Sequence, residues 1–555
     1  LKMCKLYTKK YFILIFFFST FTTAQNSVKN PLNVIWISFE DIWPILSSYD
    51  NKFINTPNSD RSATEGVKYT NAYSTVGVCA PSRFSIITGM YSARLGAHNM
   101  RTGDYHNYKT PEQLTYRKDI GVIDKAGKNI PEYEVVPPPY VKPFTEILRA
   151  NGYYCANNFK CDYQFNAPFT AWDEVSSTVS FRDAPKDKPF FYVWNTLLTH
   201  ESRIWERSNK PLTVNPNDVE IPSYFPDIPQ VRNDIARKYS NIEAMDEKVG
   251  EIISQLKEDG LLENTIIMFW SDHGGNLLRQ KRAVGNSGLN VPLIIRYPNK
   301  IDAGKVDDRI VSLMDLGPTV LSLLNIEPPK HYDGKAIAGK YEESPRKYAF
   351  GTADRFDEST DMQRSVLDGR YVYIKNFMPE LPLIYRNKYR ERITMNSKLI
   401  IMDSLDMLEG DAKYIFMKTK PFEEFYDLET DPYEVNNIID DPKYAGRIDN
   451  FRDALQDWQN EINDQGFIPE NKIVESFWPN LIQPKTESVE FQMRDDGLYE
   501  LTSITNGASI GYQIEDQIGT NSWSLYHKPI LLGDKQKIVA RAIRLGYKAS
   551  EITSN

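Results

Sequence analysis

The residues Gly-Val-Cys-Ala-Pro-Ser-Arg at 77–83 raise the first chemical question. A cysteine in such a setting can pair with another thiol, pack as a small hydrophobe, or react. As a nucleophile, Cys79 needs a histidine partner and a lowered pKa. As a core residue it needs no particular neighbours. Neither reading accounts for the whole run through Arg83. The sequence holds four cysteines, and Cys4 belongs to an N-terminal leader, so the mature chain keeps Cys79, Cys155 and Cys161. With an odd number, at least one is unpaired or chemically altered. Cys155 and Cys161 are close enough in sequence to form a disulfide in an oxidising compartment, which makes Cys79 the odd one out.

Acids and histidines recur where apolar runs end. NVIWISFED (33–41) ends in Glu40 and Asp41, PFFYVWNTLLTH (189–200) in His200, and NTIIMFWSDHGG (264–275) carries Asp272 and His273. A fourth run, VPLIIRYP (291–298), ends at a proline. Short apolar runs of this kind read as buried strands. Between the second and third, Tyr239, Ile242, Met245, Val249, Ile252, Ile253 and Leu256 fall near helical spacing, and Gly260 supplies a stop. Apolar strands alternating with amphipathic helices predict a mostly parallel sheet covered on both faces. Ligands of such sheets lie beyond the carboxyl ends of the strands. Glu40, Asp41, His200, Asp272 and His273 are then expected to share one edge, although each cluster alone also fits a strand-terminating turn.

The 555 residues exceed what one small core organises, and two or three domains are expected. A composition 41% hydrophobic and 25% charged is that of a water-soluble globular chain. A net charge of -8, with no basic stretch beyond the N-terminus, gives no reason to expect nucleic-acid binding. Lys2, Lys5, Lys9 and Lys10 precede YFILIFFFSTF (11–21), and TTAQN (22–26) follows. This pattern predicts a secretory signal peptide over 1–25; the alternative, a retained anchor, is disfavoured by the short apolar run. The protein is therefore expected to be exported, periplasmic or secreted, with no stable membrane span. Its expected divisions are 30–345 for a large α/β domain, 346–485 for a smaller α+β region with a helix over 447–462, and 486–555 for a β-rich module.

CAPSR at 79–83, followed by ITGMYSARLGAH (87–98), resembles the signature of the type I sulfatases. The resemblance spans much of 33–440, including SDHG and YDLETDPYEVNNI. It implies an alkaline-phosphatase-like α/β fold and hydrolysis of sulfate esters. In that family a formylglycine-generating or sulfatase-maturating enzyme oxidises the motif cysteine to formylglycine. One hydroxyl of the hydrated aldehyde attacks sulfur, and the other loses its proton to eject sulfate. An anionic ester repels nucleophiles, so such a site must neutralise charge first.

The resemblance further implies calcium held by Glu40, Asp41, Asp272 and His273 together with modified Cys79. Glu40 departs from the family's usual aspartate. Arg83 matches the motif arginine that orients the diol and the carboxylates. Lys281, eleven residues before Pro292, and Lys160 in FKCDYQF (159–165) match sulfate-binding lysines. His200 matches the histidine near the leaving-group oxygen. The family's histidine after the first of these lysines in the chain is replaced here by Asp162. His98 is a candidate for its proton-accepting role, with a glycan contact or a structural histidine as alternatives.

THESR (199–203) and ADRFDES (353–359) are expected at the mouth of the site. NNFKCDYQFN and THESR resemble a branch acting on sulfated polysaccharides, with ulvan as the leading substrate and a heparan-type glycan second. A phosphatase or phosphonate hydrolase of the same superfamily and a non-catalytic glycan-binding protein are the rival readings. The C-terminal stretch resembles a small β-module of exported glycan-degrading enzymes, or it is a stabilising lid.

Overall fold

In the computed structural model, residues 31–533 and 535–555 are described; the expected signal peptide over 1–25 lies outside them. Eight strands form the main sheet: β1 (Asn33–Phe39), β2 (Val67–Tyr73), β3 (Tyr154–Asn157), β4 (Glu174–Val175), β5 (Phe190–Asn195), β6 (Thr265–Ser271), β7 (Asn290–Arg296) and β8 (Lys305–Ser312). Their order is β4-β3-β5-β1-β6-β7-β2-β8. All neighbours pair in parallel except those of β7, which runs antiparallel to both β6 and β2. The expected mostly parallel sheet is therefore present, with one reversal. The run 291–298 is a strand, but its amino end, not its proline end, lies toward the edge where β1, β5 and β6 finish.

The central strands of the sheet are apolar along their length because both faces are covered. Every residue of β1, β6 and β7 is buried, and the short helix α1 (Pro57–Thr64) lies between β1 and β2 in the chain. Alternate side chains go to opposite faces. Val34, Trp36, Ile266, Met268 and Trp270 pack in one cluster with Phe84 and Ile87 of α2 (Cys79–Thr88) and Phe144 of α3 (Phe144–Ala150). Ile35, Ile37, Phe39, Ile267 and Phe269 pack in the other with Ile235, Ile242, Met245 and Val249 of a helix spanning Pro229–Glu258. Each such aliphatic or aromatic burial stabilises by about 1.5–3 kcal/mol. That long helix carries the expected periodic residues, and Gly260 follows at φ 69°.

A second, antiparallel sheet has the order β12-β11-β10-β9, from β9 (Ala349–Ala353), β10 (Gln363–Leu367), β11 (Tyr371–Asn376) and β12 (Glu423–Asp427). The helix Ala445–Ile462 covers it through Ile448, Phe451, Leu455 and Trp458. Two small sheets of three and four strands follow between Glu490 and Ser554. No helix among the described residues is long and apolar enough to cross a membrane.

The disulfide allowed by the spacing of Cys155 and Cys161 is absent. Both thiols are free and buried. Cys155 points from β3 toward the Thr145 carbonyl at 3.8 Å, whereas the Cys161 sulfur, beyond the strand end, accepts from Asn157 Nδ2 at 3.2 Å. The strand and its following turn send the two sulfurs to different partners.

Candidate active site

The carboxyl ends of β1, β5 and β6 bring together the residues that the sequence spaces far apart. Cys79 is the first residue of α2, whose ten residues are all buried. The helix therefore aims its amino terminus, with its partial positive charge, at the centre. Cys79 Sγ lies 3.4 Å from His273 Nε2, 3.7 Å from Lys281 Nζ and 3.8 Å from Glu40 Oε2. Asp41 follows β1 in a left-handed backbone conformation, φ 56°, which an aspartate tolerates better than most residues. This turn directs its carboxylate to Lys281 Nζ at 2.8 Å and His273 Nε2 at 3.0 Å.

Arg83, one turn into α2, is 3% exposed and ties the acids together. It donates to Asp272 Oδ2 at 3.0 Å, Asn195 Oδ1 at 3.0 Å and Ser38 Oγ at 3.1 Å, and also to Glu40. Lys160 Nζ donates to Glu40 Oε2 at 2.5 Å. In this arrangement the two lysines rest on the carboxylates. Such charges stay buried only when paired and hydrogen-bonded.

The ionisation pattern follows from these contacts. Burial opposes the charge on Asp41, yet Lys281, His200 and His273 hold its carboxyl well below the usual range. Burial also works against protonation of His273, but Asp272 and Asp41 raise it to about 10. Burial, with the Asp272 carboxylate, pushes Glu40 up against the pull of Lys160 and Arg83. Burial, joined by the Asp272 and Glu40 carboxylates, outweighs both lysines at Cys79 and raises its thiol. A thiol so held is a poor nucleophile, so the lowered pKa that cysteine catalysis requires is not found here.

His200 is half-buried at the rim. Burial and then Lys281 lower its pKa to about 3, so the ring is neutral at ordinary pH. Its Nδ1 lies 3.2 Å from both the Ser202 amide and the Ser202 hydroxyl. Nε2 is the ring atom that faces the centre, 3.4 Å from Lys281 Nζ.

The donor set fits a hard divalent cation. Ligand atoms of Asp41, Cys79, Asp272 and His273 lie within 4.8 Å of one another, as do those of Glu40, Asp41, Cys79 and His200. Carboxylate oxygens are the ligands such a cation prefers. His273 Nδ1 lies 3.1 Å from the Gly274 carbonyl, to which it donates, so Nε2 would be the ligand atom once a cation displaces its proton.

Several residues of the site were not singled out individually in the sequence. Glu201 is buried, donates its amide to Asp41 Oδ2 at 2.7 Å, and pairs with Arg282 at 3.0 Å. Arg282 in turn holds Asp357 at 2.8 Å. Glu201 and Asp357 belong to the THESR and ADRFDES stretches expected at the mouth, and their convergence on Arg282 joins the two. Asp162, at the family's histidine position, is paired with Arg101 at 2.7 Å and lies 3.6 Å from Lys160.

His98 is not part of this centre. It is buried, lines a small cavity with Asn99, Asp354 and Glu470, and its Nδ1 has no hydrogen-bond partner among the described residues. The turn after α2 carries it toward the second sheet, so the proton-accepting role open to it in the sequence is corrected to a buried position elsewhere. Burial, then Arg364, lower its pKa to about 4. In the unfolded chain it titrates near 6.5. Below that pH the unfolded state binds a proton the folded state refuses, so stability falls as pH falls. Between pH 7 and pH 5 this one ring is expected to remove about 2 kcal/mol. Denaturant unfolding of His98→Gln at both pH values checks this: the variant should lose less stability on acidification than the wild type, and equal losses would contradict it.

The mostly parallel sheet, its helical layers and the buried polar centre at its strand ends define the class: an alkaline-phosphatase-like α/β enzyme. The sulfatase family model matches residues 32–326, and the chain belongs to the sulfatase family, hydrolases of sulfuric esters. It is 36% identical over 559 residues to an ulvan-active sulfatase of Formosa agariphila, covering 94% of this chain and 90% of that protein. Among solved structures it resembles a protein in complex with its substrate D-glucosamine-2-N,6-O-disulfate, with TM-score 0.53, 18% identity, and coverage of 80% of this chain and 100% of the other. The phosphonate monoester hydrolase of Agrobacterium radiobacter aligns with TM-score 0.52 and 16% identity over 85% of this chain and 99% of the other. At these identities the structural likenesses speak for the fold alone.

Proposed function

We propose that this sulfatase is an exported, calcium-dependent enzyme that removes sulfate from a sulfated polysaccharide or its oligosaccharides, an algal polymer such as ulvan first. Cys79 is the residue converted to formylglycine by a maturation enzyme that reads CAPSR. The observation that supports this most is the setting of Cys79 Sγ, 3.4 Å from His273 and 3.7 Å from Lys281 inside a ring of buried carboxylates. The identity to an ulvan-active sulfatase favours the algal substrate. The basic and apolar leader over 1–25 favours export, and the divisions 30–345, 346–485 and 486–555 belong to the same reading.

Formylglycine supplies an oxygen nucleophile with a built-in exit for sulfate, and calcium supplies polarisation of the ester. The chain's own residues do the rest. Glu40, Asp41, Asp272 and His273, with modified Cys79, would hold the ion, and Arg83 fixes Glu40 and Asp272 in place. Lys160 and Lys281 give their ammonium groups to the sulfate oxygens when an anion enters. Both lysines stay charged, because neighbouring anions overcome burial and raise their pKa values. Neutral His200 donates its Nε2 proton to the leaving-group oxygen as negative charge develops there. Asp162, paired with Arg101 and 3.6 Å from Lys160, adds a further carboxylate beside that lysine where the family has a histidine.

The two overlapping ligand groups share Asp41 and Cys79, which favours one ion over the two a phosphatase of this superfamily would use. Sulfate release from ulvan, heparan sulfate and paired aryl sulfate and aryl phosphate substrates tests the reading. Sulfate should be released from ulvan, aryl sulfate should be preferred to aryl phosphate, and chelation should lower turnover by on the order of 100-fold or more, with calcium restoring it. Preferential phosphate turnover, indifference to prolonged chelation, or no sulfate from any glycan would reject it.

A further inference from the structure

A groove of about 770 Å³ lies apart from the Cys79 centre, between residues 108–134 and the C-terminal sheets. None of the residues around Cys79 lines it. Seven lysines and arginines face four glutamates there, on a chain whose net charge is -8. Lys118 and Lys548 are exposed, and no ion pair engages either among the described residues. Lys548 is held beside Lys485 by a bridge between their backbones, and Lys485 is paired with Glu551 at 2.5 Å in an exposed ion pair of the kind a polyanion displaces readily. Arg117 is 71% exposed and pairs with the buried Glu132 at 2.7 Å, which leaves one face of its guanidinium open to the groove. Glu134, on the floor, is 2% exposed and shared between Tyr116 and the Asn166 amide, so it adds little negative charge to the opening.

The groove also offers surface for sugar rings. Leu481 and Ile482 are 45% and 67% exposed at its edge. Leu481 is held at φ 56°, a left-handed conformation unusual for a bulky residue. Tyr108 and Tyr547, both half-buried, add aromatic surface. At one end the groove is tied to the centre through the backbone. The Cys161 and Asp162 amides both donate to the His106 carbonyl at 2.9 Å, Asn107 bridges Lys160, and the next residue, Tyr108, lines the groove.

We propose that this groove is a second binding site for a linear sulfated polysaccharide, holding one stretch of polymer while another stretch reaches the Cys79 centre. The inference rests on the glycan reading above and assigns part of its recognition to the 486–555 region. Tethering by a second contact raises the effective concentration of sulfate esters at the centre without touching the chemistry. Because linear polyanions release counterions on binding, affinity should fall with added salt.

The test uses the full-length protein and its Lys118→Glu/Lys548→Glu variant, with ulvan and heparin as probes and neutral dextran as control. The wild type should bind at least one sulfated polymer and not dextran. The variant should bind it at least about tenfold more weakly with a shallower salt dependence, and should lose kcat/KM on polymer while aryl sulfate turnover is unchanged. Lys118→Arg/Lys548→Arg should retain wild-type affinity. Unaltered affinity in the glutamate variant, no polymer binding by the wild type, or an equal loss on aryl sulfate would overturn the groove. Binding that depends on these lysines without sulfate release from any glycan would uphold the groove and reject the substrate reading instead.

Discussion

Cys79→Ala is expected to lower sulfate release by about 10⁴-fold or more, the loss typical of removing a covalent nucleophile, while the protein remains folded. The side chain is small and 3% exposed, so its removal costs about 1 kcal/mol of packing at most. Its neighbours do not depend on it: Asp41 keeps Lys281 and His273, and Glu40 keeps Lys160 and Arg83. Activity and melting temperature are therefore separable at this residue. Serine in its place should also fail in turnover, because a hydroxyl offers no second proton with which to expel sulfate. Sulfate release within tenfold of wild type by the alanine variant, or loss of activity accompanied by unfolding, would contradict the account.

Arg83→Ala is expected to act on both quantities at once. The guanidinium is buried and bonds to Asp272, Glu40, Asn195 and Ser38. Removing it leaves two buried carboxylates short of a cation and two polar side chains short of a donor. Breaking buried pairs of this kind costs about 3–5 kcal/mol. Calcium offsets part of that charge in the loaded enzyme, so the loss in denaturant midpoint should be larger after chelation than before. Arg83→Lys should recover part of the stability and little of the activity, since an ammonium cannot span the bonds that a planar fork makes. A neutral effect of Arg83→Ala on stability in the chelated protein would show that these carboxylates are not held by this residue.

Much of the centre was legible because parallel strands buried on both faces write continuous apolar runs, and the residue types at their ends stand out against them. Glu40, Asp41, His200, Asp272 and His273 were found that way, and Cys79 and Arg83 by a local motif on a single helix. What remained hidden depends on contacts distant in sequence. The Glu201–Arg282 pair joins residues 81 positions apart, and no local pattern marks it. Strand direction is likewise absent from periodicity, so β7 reads the same whether parallel or reversed. The free thiols of Cys155 and Cys161 depend on where β3 ends and its turn begins, not on their spacing. His98 sat in a suggestive segment, yet the chain after α2 turns it away from the sheet edge and into a buried polar cavity.

The chemical state of residue 79 tests the central claim most directly. Mass analysis of the peptide spanning Cys79, taken from enzyme that releases sulfate, should find an aldehyde where the sequence encodes a thiol, in proportion to the specific activity of each preparation. An intact cysteine thiol throughout a fully active preparation would contradict the account.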